Sequence, residues 1–269
     1  MATLKYTHAV VCRIPKTYGS DSQVDYVKTK QQHEAFVRTL RDTGIDVIEL
    51  PPDEALPLCG FVEDTAVICN GIALIARPGN VSRQKEAETM RAVLRKELDL
   101  PIVDMADKSA TLDGGDVLFT GKEFFVGISK WTNEAGARAV AAAFPEFPCT
   151  PIKVTENCHL KSLMSMAGPD IICVGAGKVP QDVLNRIKRE ATFSYQTLTV
   201  PEDHAANVLY VNGTLIHRSE GEIPSSFKVF SEKMDFYRQP LEVSELVKKS
   251  SGLSSCCLLI RRSRHYRIF

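Results

Sequence analysis

The sequence predicts an α/β fold: a five-bladed α/β propeller, a ring of strand-strand-helix-strand units closed by pairing of its N- and C-terminal strands. Three observations point to it. A helix, a strand and a hairpin recur in the same order with a period of about 45 to 50 residues. Asn-Gly turns stand in matching places of two units, at Asn70-Gly71 and Asn212-Gly213. The last unit lacks its second hairpin strand, while the N-terminus carries an orphan strand of matching character.

That orphan is Thr7-His8-Ala9-Val10-Val11-Cys12. Val24, Val27, Phe36, Val37 and Leu40 then fall on one helical face over 24–43, Gly44 stops the helix, and 45–50 reads as a strand. The hairpin 65–69 with 72–76 turns on Asn70-Gly71, a pair that accepts the left-handed backbone such turns demand. In the second unit Ser82 opens a helix to about Leu98, 101–105 is a strand, and 116–119 pairs with 123–127. The third has a helix over 132–144, a strand over 150–154 and a hairpin joining 160–166 to 171–174. The fourth has a helix over 180–190, a strand over 196–200, and 207–211 turning into 214–217. The fifth has a helix over 226–238 and strands over 240–243 and 256–260. Pairing this last strand with the first leaves no exposed sheet edge, and 1–269 reads as a single domain.

Composition narrows the function classes. Lys and Arg number 33 against 33 Asp and Glu, so there is no basic excess for nucleic acid. No apolar run approaches the roughly 18 residues of a membrane span, and the first residues hold no apolar signal core, which predicts a cytoplasmic protein without membrane partners. The 8 cysteines are scattered without a C-x-x-C pair, against a disulfide framework or structural zinc.

If the units are equivalent, the residues just before each inner strand meet at one end of a central channel. Those places hold Glu63-Asp64, Asp113-Gly114-Gly115-Asp116, His159, His204 to Asn207, and Ser254-Ser255-Cys256. A thiol converging with an imidazole and carboxylates is what a cysteine nucleophile requires, whereas a lone strand cysteine or histidine is ordinarily structural. Glu63-Asp64 sits between apolar flanks, where two adjacent carboxylates invite a planar cation such as guanidinium. Asp113 either orients His159 or caps the turn at Gly114-Gly115.

The strings Phe61-Val62-Glu63-Asp64, Ala110-Thr111-Leu112-Asp113-Gly114-Gly115-Asp116-Val117-Leu118-Phe119, His159-Leu160-Lys161-Ser162, Met166-Ala167-Gly168-Pro169, Leu198-Thr199-Val200-Pro201 and Gly252-Leu253 before Cys256-Cys257 carry a resemblance over almost the whole chain. The chain resembles the dimethylarginine dimethylaminohydrolase family, in its type 1-like branch, within the pentein superfamily of guanidine-modifying proteins. The resemblance implies a five-bladed α/β propeller, in agreement with the repeat. It implies Cys256 as nucleophile, His159 as general acid and base, and Asp113 as its support. Glu63 and Asp64 would grip a guanidinium, and Arg83 would bind the substrate carboxylate. It further implies hydrolysis of Nω-methylated arginine to citrulline and a methylamine, a link to nitric oxide control, a small guanidino compound as partner, and no cofactor. No metal is required, though Cys256 with His159 offers an inhibitory zinc a place to bind.

Departures from the family pattern fall on the substrate's amino-acid end. Leu58 stands where relatives carry an aspartate, Trp131 within Lys130-Trp131-Thr132-Asn133 stands where they carry an arginine, and Ser20-Asp21-Ser22-Gln23 replaces a longer flap. Losing a charge-assisted contact commonly costs about 1.5 to 3 kcal/mol. Two alternatives therefore stand beside the family reaction: hydrolysis of another guanidino or ureido compound, such as citrulline, and a non-catalytic binding homologue.

Overall fold

The computed structural model describes residues 5–20, 23–155, 157–250 and 252–261. Asp21 and Ser22 of the short segment after Gly19, and the basic stretch from Arg262 onward, lie outside the described residues.

Five three-stranded sheets form, one per predicted unit. In the first, β1 (His8–Cys12) leads through α1 (Tyr26–Asp42) to β2 (Asp46–Leu50), parallel to β1. The second holds β3 (Ala66–Cys69), β4 (Ile72–Ile75), α2 (Gln84–Lys96) and β5 (Ile102–Val103). The third holds β6 (Val117–Phe119), β7 (Phe124–Ile128), α3 (Glu134–Ala143) and β8 (Cys149–Lys153). The fourth opens with the single turn α4 (Leu160–Leu163), followed by β9 (Met164–Gly168), β10 (Ile171–Gly175), α5 (Lys178–Glu190) and β11 (Gln196–Val200). The fifth holds β12 (Leu209–Val211), β13 (Thr214–Arg218), α6 (Pro224–Lys233) and β14 (Tyr237–Leu241). Finally β15 (Leu258–Ile260) pairs antiparallel with β1, with Ala9 opposite Leu259, and closes the ring as the orphan strand predicts.

Local chemistry explains the elements. Asn70 and Gly71 (φ 49° and 76°) and Asn212 and Gly213 (φ 50° and 94°) take the left-handed conformations of tight hairpin turns. The Asp25 carboxylate caps α1 by accepting from Lys28 N at 3.0 Å, and Asn133 caps α3 through Gly136 N at 2.9 Å. Buried Pro180, Val183, Leu184 and Ile187 recur at helical spacing and turn one face of α5 inward.

The core is a circuit of five clusters, each joining one sheet to the next. Phe124 and Phe144, for example, stack at 5.3 Å within the cluster between the second and third units. Ala66, Val117, Ser165, Leu209 and Leu258, one from each inner strand, line a shared cavity of about 170 Å³. The inner strands therefore surround one axis.

Some boundaries differ from the sequence reading. Residues 160–163 form a helical turn instead of the start of a strand. The helix predicted over 226–238 ends at Lys233, because Met234 is extended and Tyr237 to Leu241 pair with β13. Cys256 does not open the last strand; it ends a short turn, Leu253–Cys256. Comparable turns precede the other inner strands, at Val62–Thr65, Gly114–Asp116, Leu160–Leu163 and Asp203–Ala205. These turns bring Glu63, Gly114, Lys161 and Ser254 to the central cavity.

One contact shows how tightly the turns mesh. A Cβ on Gly114 would lie 1.9 Å from the Glu63 carbonyl oxygen. Gly114→Ala is expected to destabilise the protein by about 1 to 3 kcal/mol, since backbone must move; a lowered denaturation midpoint with an unchanged slope is the check.

Candidate active site

The turns bring most of the predicted residues to one mouth of the ring. His159, which precedes α4, lies with Nε2 3.0 Å from Asp113 Oδ2 and 4.0 Å from Asp64 Oδ1. Asp113 is itself held, its other oxygen accepting from Gly79 N at 2.9 Å. Burial works against a charged imidazole, but the bond to Asp113 and the nearby Asp64 and Asp116 charges outweigh it and raise His159 to about 9. His159 is therefore an imidazolium at neutral pH. Asp113 ends up raised, because burial outweighs the help it receives from His159.

Glu63 and Asp64 are both buried, and each faces a cation of the protein itself. Glu63 Oε1 accepts from Lys161 Nζ at 2.5 Å, and Oε2 accepts from Ser254 Oγ at 2.9 Å. Burial pushes its carboxyl up, with Lys161 opposing. Asp64 Oδ2 pairs with the Arg83 guanidinium at 2.5 Å while Oδ1 accepts from Gly115 N at 2.9 Å. Burial pushes Asp64 up too, but Arg83, His159 and the Gly115 N–H together hold it below the ordinary aspartate range.

Cys256 is fully buried, and burial, reinforced by the Glu63 charge, raises its thiol well above the ordinary value. Its neighbour Cys257 lines the central cavity, beside Glu63 and Lys161.

Arg83, expected to meet a substrate carboxylate, is instead turned inward. It is 6% exposed and donates to Asp64, to Glu86 Oε2 at 2.7 Å and to the Phe61 carbonyl at 2.8 Å. The cause is electrostatic: buried Asp64 and Glu86 together demand a cation between them. Leu58 is half-buried against the core, and its carbonyl accepts from Arg83 at 3.4 Å. Trp131 stacks on the His159 ring. His204 is exposed and bonded to the Glu222 carbonyl at 3.2 Å, so the segment before β12 contributes Asn207 instead. Asn207 joins units by donating to Lys161 O and Ser254 Oγ and accepting from Ser254 N.

Among the described residues, the potential metal donors within 4.8 Å of one another are Asp64, Asp113 and His159. Cys256, expected as an inhibitory zinc ligand, is not in that group, and its members already bond to each other or to Arg83.

Lys161 and Glu86 are not among the sequence-predicted site residues, and Asn207 and Asp116, which the sequence places at the mouth, have roles that only the structure gives. Lys161 had a usable signal: two adjacent buried carboxylates require more than one cation, and Lys161 follows His159 by two residues.

A family model described as "N,N dimethylarginine dimethylhydrolase, eukaryotic" matches residues 9–233. The chain belongs to this dimethylarginine dimethylaminohydrolase family. Relatives within reach of the family include the putative hydrolase DDAH2 of Bos taurus and of Homo sapiens, each 37% identical over 274 residues, with 96% of both chains covered. The N(G),N(G)-dimethylarginine dimethylaminohydrolase of Pseudomonas aeruginosa is 27% identical over 244 residues, covering 88% of this chain and 89% of that one. Among solved structures, dimethylarginine dimethylaminohydrolase from Pseudomonas aeruginosa complexed with citrulline superposes with a TM-score of 0.80 at 24% identity, over 95% of this chain and 100% of that chain. The N-terminal domain of ArgZ, covalently bound to a reaction intermediate, gives a TM-score of 0.77 at 15% identity, over 94% and 97% of the two chains. At these identities the structural likeness establishes the five-unit fold of the family.

Two variants test the charge arrangement. Lys161→Met strands Glu63 and is expected to cost about 3 to 5 kcal/mol; adding Glu63→Gln should restore part of the loss, as read by thermal unfolding. His159→Gln should flatten part of the stability-pH profile. Its folded pKa is raised from 6.5 to about 9, so its contribution is complete below about pH 6.5 and disappears as pH rises through about 9. Wild type should lose melting temperature across that window and the variant should lose less.

Proposed function

We propose that this protein hydrolyses the guanidino carbon-nitrogen bond of Nω-methylated arginine, releasing citrulline and methylamine or dimethylamine. One observation carries the reading most: the bonded His159–Asp113 pair and the Glu63-Asp64 pair lie on turns equivalent to the one that ends in Cys256. The family's name and the relatives' names support the same chemistry.

Cys256 acts as the nucleophile. Its raised thiol means that it waits protonated, and a guanidinium entering beside Glu63 and Asp64 supplies the positive charge that lets the proton leave to solvent. The sulfur attacks the guanidinium carbon and forms a C–S bond. The C–N bond to the methylated amine then breaks, and the departing nitrogen takes a proton from His159. With Nε2 bonded to Asp113, Nδ1 is the atom that delivers it. A thiouronium remains on Cys256. Neutral His159 takes a proton from water as the water oxygen bonds to the same carbon; the C–S pair returns to sulfur, the remaining hydroxyl proton passes to solvent, and the ureido product departs.

Glu63 and Asp64 orient the guanidinium, which must share them with Lys161 and Arg83. Arg83 is assigned to setting Asp64, and Leu58 to lining the substrate's path. Residues 1–269 act as one propeller domain, a reading supported by the closed ring and its shared cavity. A cytoplasmic setting and a part in nitric oxide control belong to the same proposal; the 8 cysteines are all free, as a reducing compartment would keep them. No described helix is long and apolar enough to cross a membrane. The relatives do not favour the alternatives of a different guanidino or ureido substrate or a purely binding role.

The test is turnover of asymmetric dimethylarginine with citrulline and dimethylamine measured together. Cys256→Ser should lose at least about 10³-fold in kcat. In wild type kcat should fall above about pH 9, as His159 gives up the proton it must donate. Absence of both products with a folded protein would overturn the reading.

A further inference from the structure

Trp131 is the only tryptophan in the chain, and it lies on the ring of His159. The ring centres are 4.4 Å apart and the planes differ by 27°. This stack is built into the scaffold through one carboxylate. Asp116, with no exposed surface, accepts from Leu160 N at 2.9 Å through one oxygen, fixing the backbone beside His159. Its other oxygen accepts from the Ser129 hydroxyl at 2.6 Å, and Ser129 Oγ in turn accepts from Trp131 N at 3.0 Å. The two stacked rings thus hang from the same side chain. Thr132 extends the arrangement, its hydroxyl accepting from Asp113 N at 3.0 Å. Gly79 completes it: a Cβ there would lie 2.5 Å from the Trp131 carbonyl oxygen, and its N–H holds Asp113.

The tilt of an imidazole ring decides where Nδ1 points, and a flat surface against the ring face resists that tilt over the whole face, where a hydrogen bond acts at one edge atom. We propose that Trp131 is a positioning residue that holds the His159 ring plane by stacking, and that Asp116 aligns the two rings by anchoring both backbones. The inference rests on the proposed role of His159 as proton donor. An indole face also favours imidazolium over neutral imidazole, in the same sense as the carboxylates around it. Among the described residues, the charged groups facing the pair are Asp113, Asp64 and Asp116 on the imidazole, and Lys130, whose Nζ is 5.9 Å from the indole centre.

Two measurements test the proposal. The first uses kcat and KM for dimethylarginine across pH in Trp131→Ala and Trp131→Phe. Trp131→Ala should lower kcat about 10- to 100-fold with KM changed less than about threefold, and should move the alkaline limb of kcat to lower pH. Trp131→Phe, which keeps a flat ring, should recover most of both. An effect on KM alone, with kcat and the limb unchanged, would make Trp131 a substrate contact and overturn the proposal.

The second needs no substrate. Because imidazolium quenches indole emission on contact, fluorescence of the lone tryptophan in the folded protein should rise as His159 loses its proton, and His159→Gln should abolish that step. Emission independent of pH, or a step that survives His159→Gln, would overturn the stack. A step that depends on His159 in a protein inactive toward dimethylarginine would sink the proposed reaction while leaving the stacked pair in place.

Discussion

Carboxylates buried at one mouth of a ring set the terms for everything around them. Glu63, Asp64, Asp113 and Asp116 are each less than 8% exposed, and an unpaired buried carboxylate costs several kcal/mol. Each therefore has fixed partners, and those partners come from other parts of the ring. Lys161 and Ser254 reach Glu63 from the turns before β9 and β15, Gly115 reaches Asp64 from the turn before β6, and Leu160 reaches Asp116 from the turn before β9. Neutralising the charges and holding neighbouring units in register are the same set of bonds.

Among the described residues no cation is left for the Cys256 thiol, the nucleophile of the proposed mechanism. Lys161 is taken by Glu63, Arg83 by Asp64 and Glu86, and His159 by Asp113. On the proposed mechanism the missing charge is the substrate's own, so the nucleophile is generated when the correct ligand is present. A small neutral molecule entering the mouth supplies no such charge. The arrangement favours a flat cation over other electrophiles through charge as well as shape.

The ring was legible because its signals are local and repeated. Asn-Gly pairs demand particular backbone angles, and apolar spacing distinguishes helix from strand. The two unmatched end strands, Thr7 to Cys12 and 256–260, were enough to indicate closure. The short turns before the inner strands were not legible, since three or four residues carry no period, and this is why Cys256 read as the start of a strand. Asp113 and His159 were correctly brought together by equivalence of position. The pairing of Arg83 with Asp64 and Glu86 is not legible in the sequence, because it depends on two carboxylates 22 residues apart in the chain meeting on either side of one guanidinium. Trp131 on His159 is a similar case: nothing in the string Lys130-Trp131-Thr132-Asn133 says which ring it will cover.

The position of Cys256 has a consequence for how the protein is made. Chains are synthesised from the N-terminus, so the turns carrying Glu63, Asp64, Asp113 and His159 are complete long before Cys256 leaves the ribosome. Cys256 is followed almost at once by β15, the strand that seals against β1. On the proposed mechanism, the sulfur that attacks the substrate therefore reaches the mouth of the ring only as the ring shuts. A nascent or half-folded chain then holds no nucleophile in place, and topology serves as a safety catch released by ring closure.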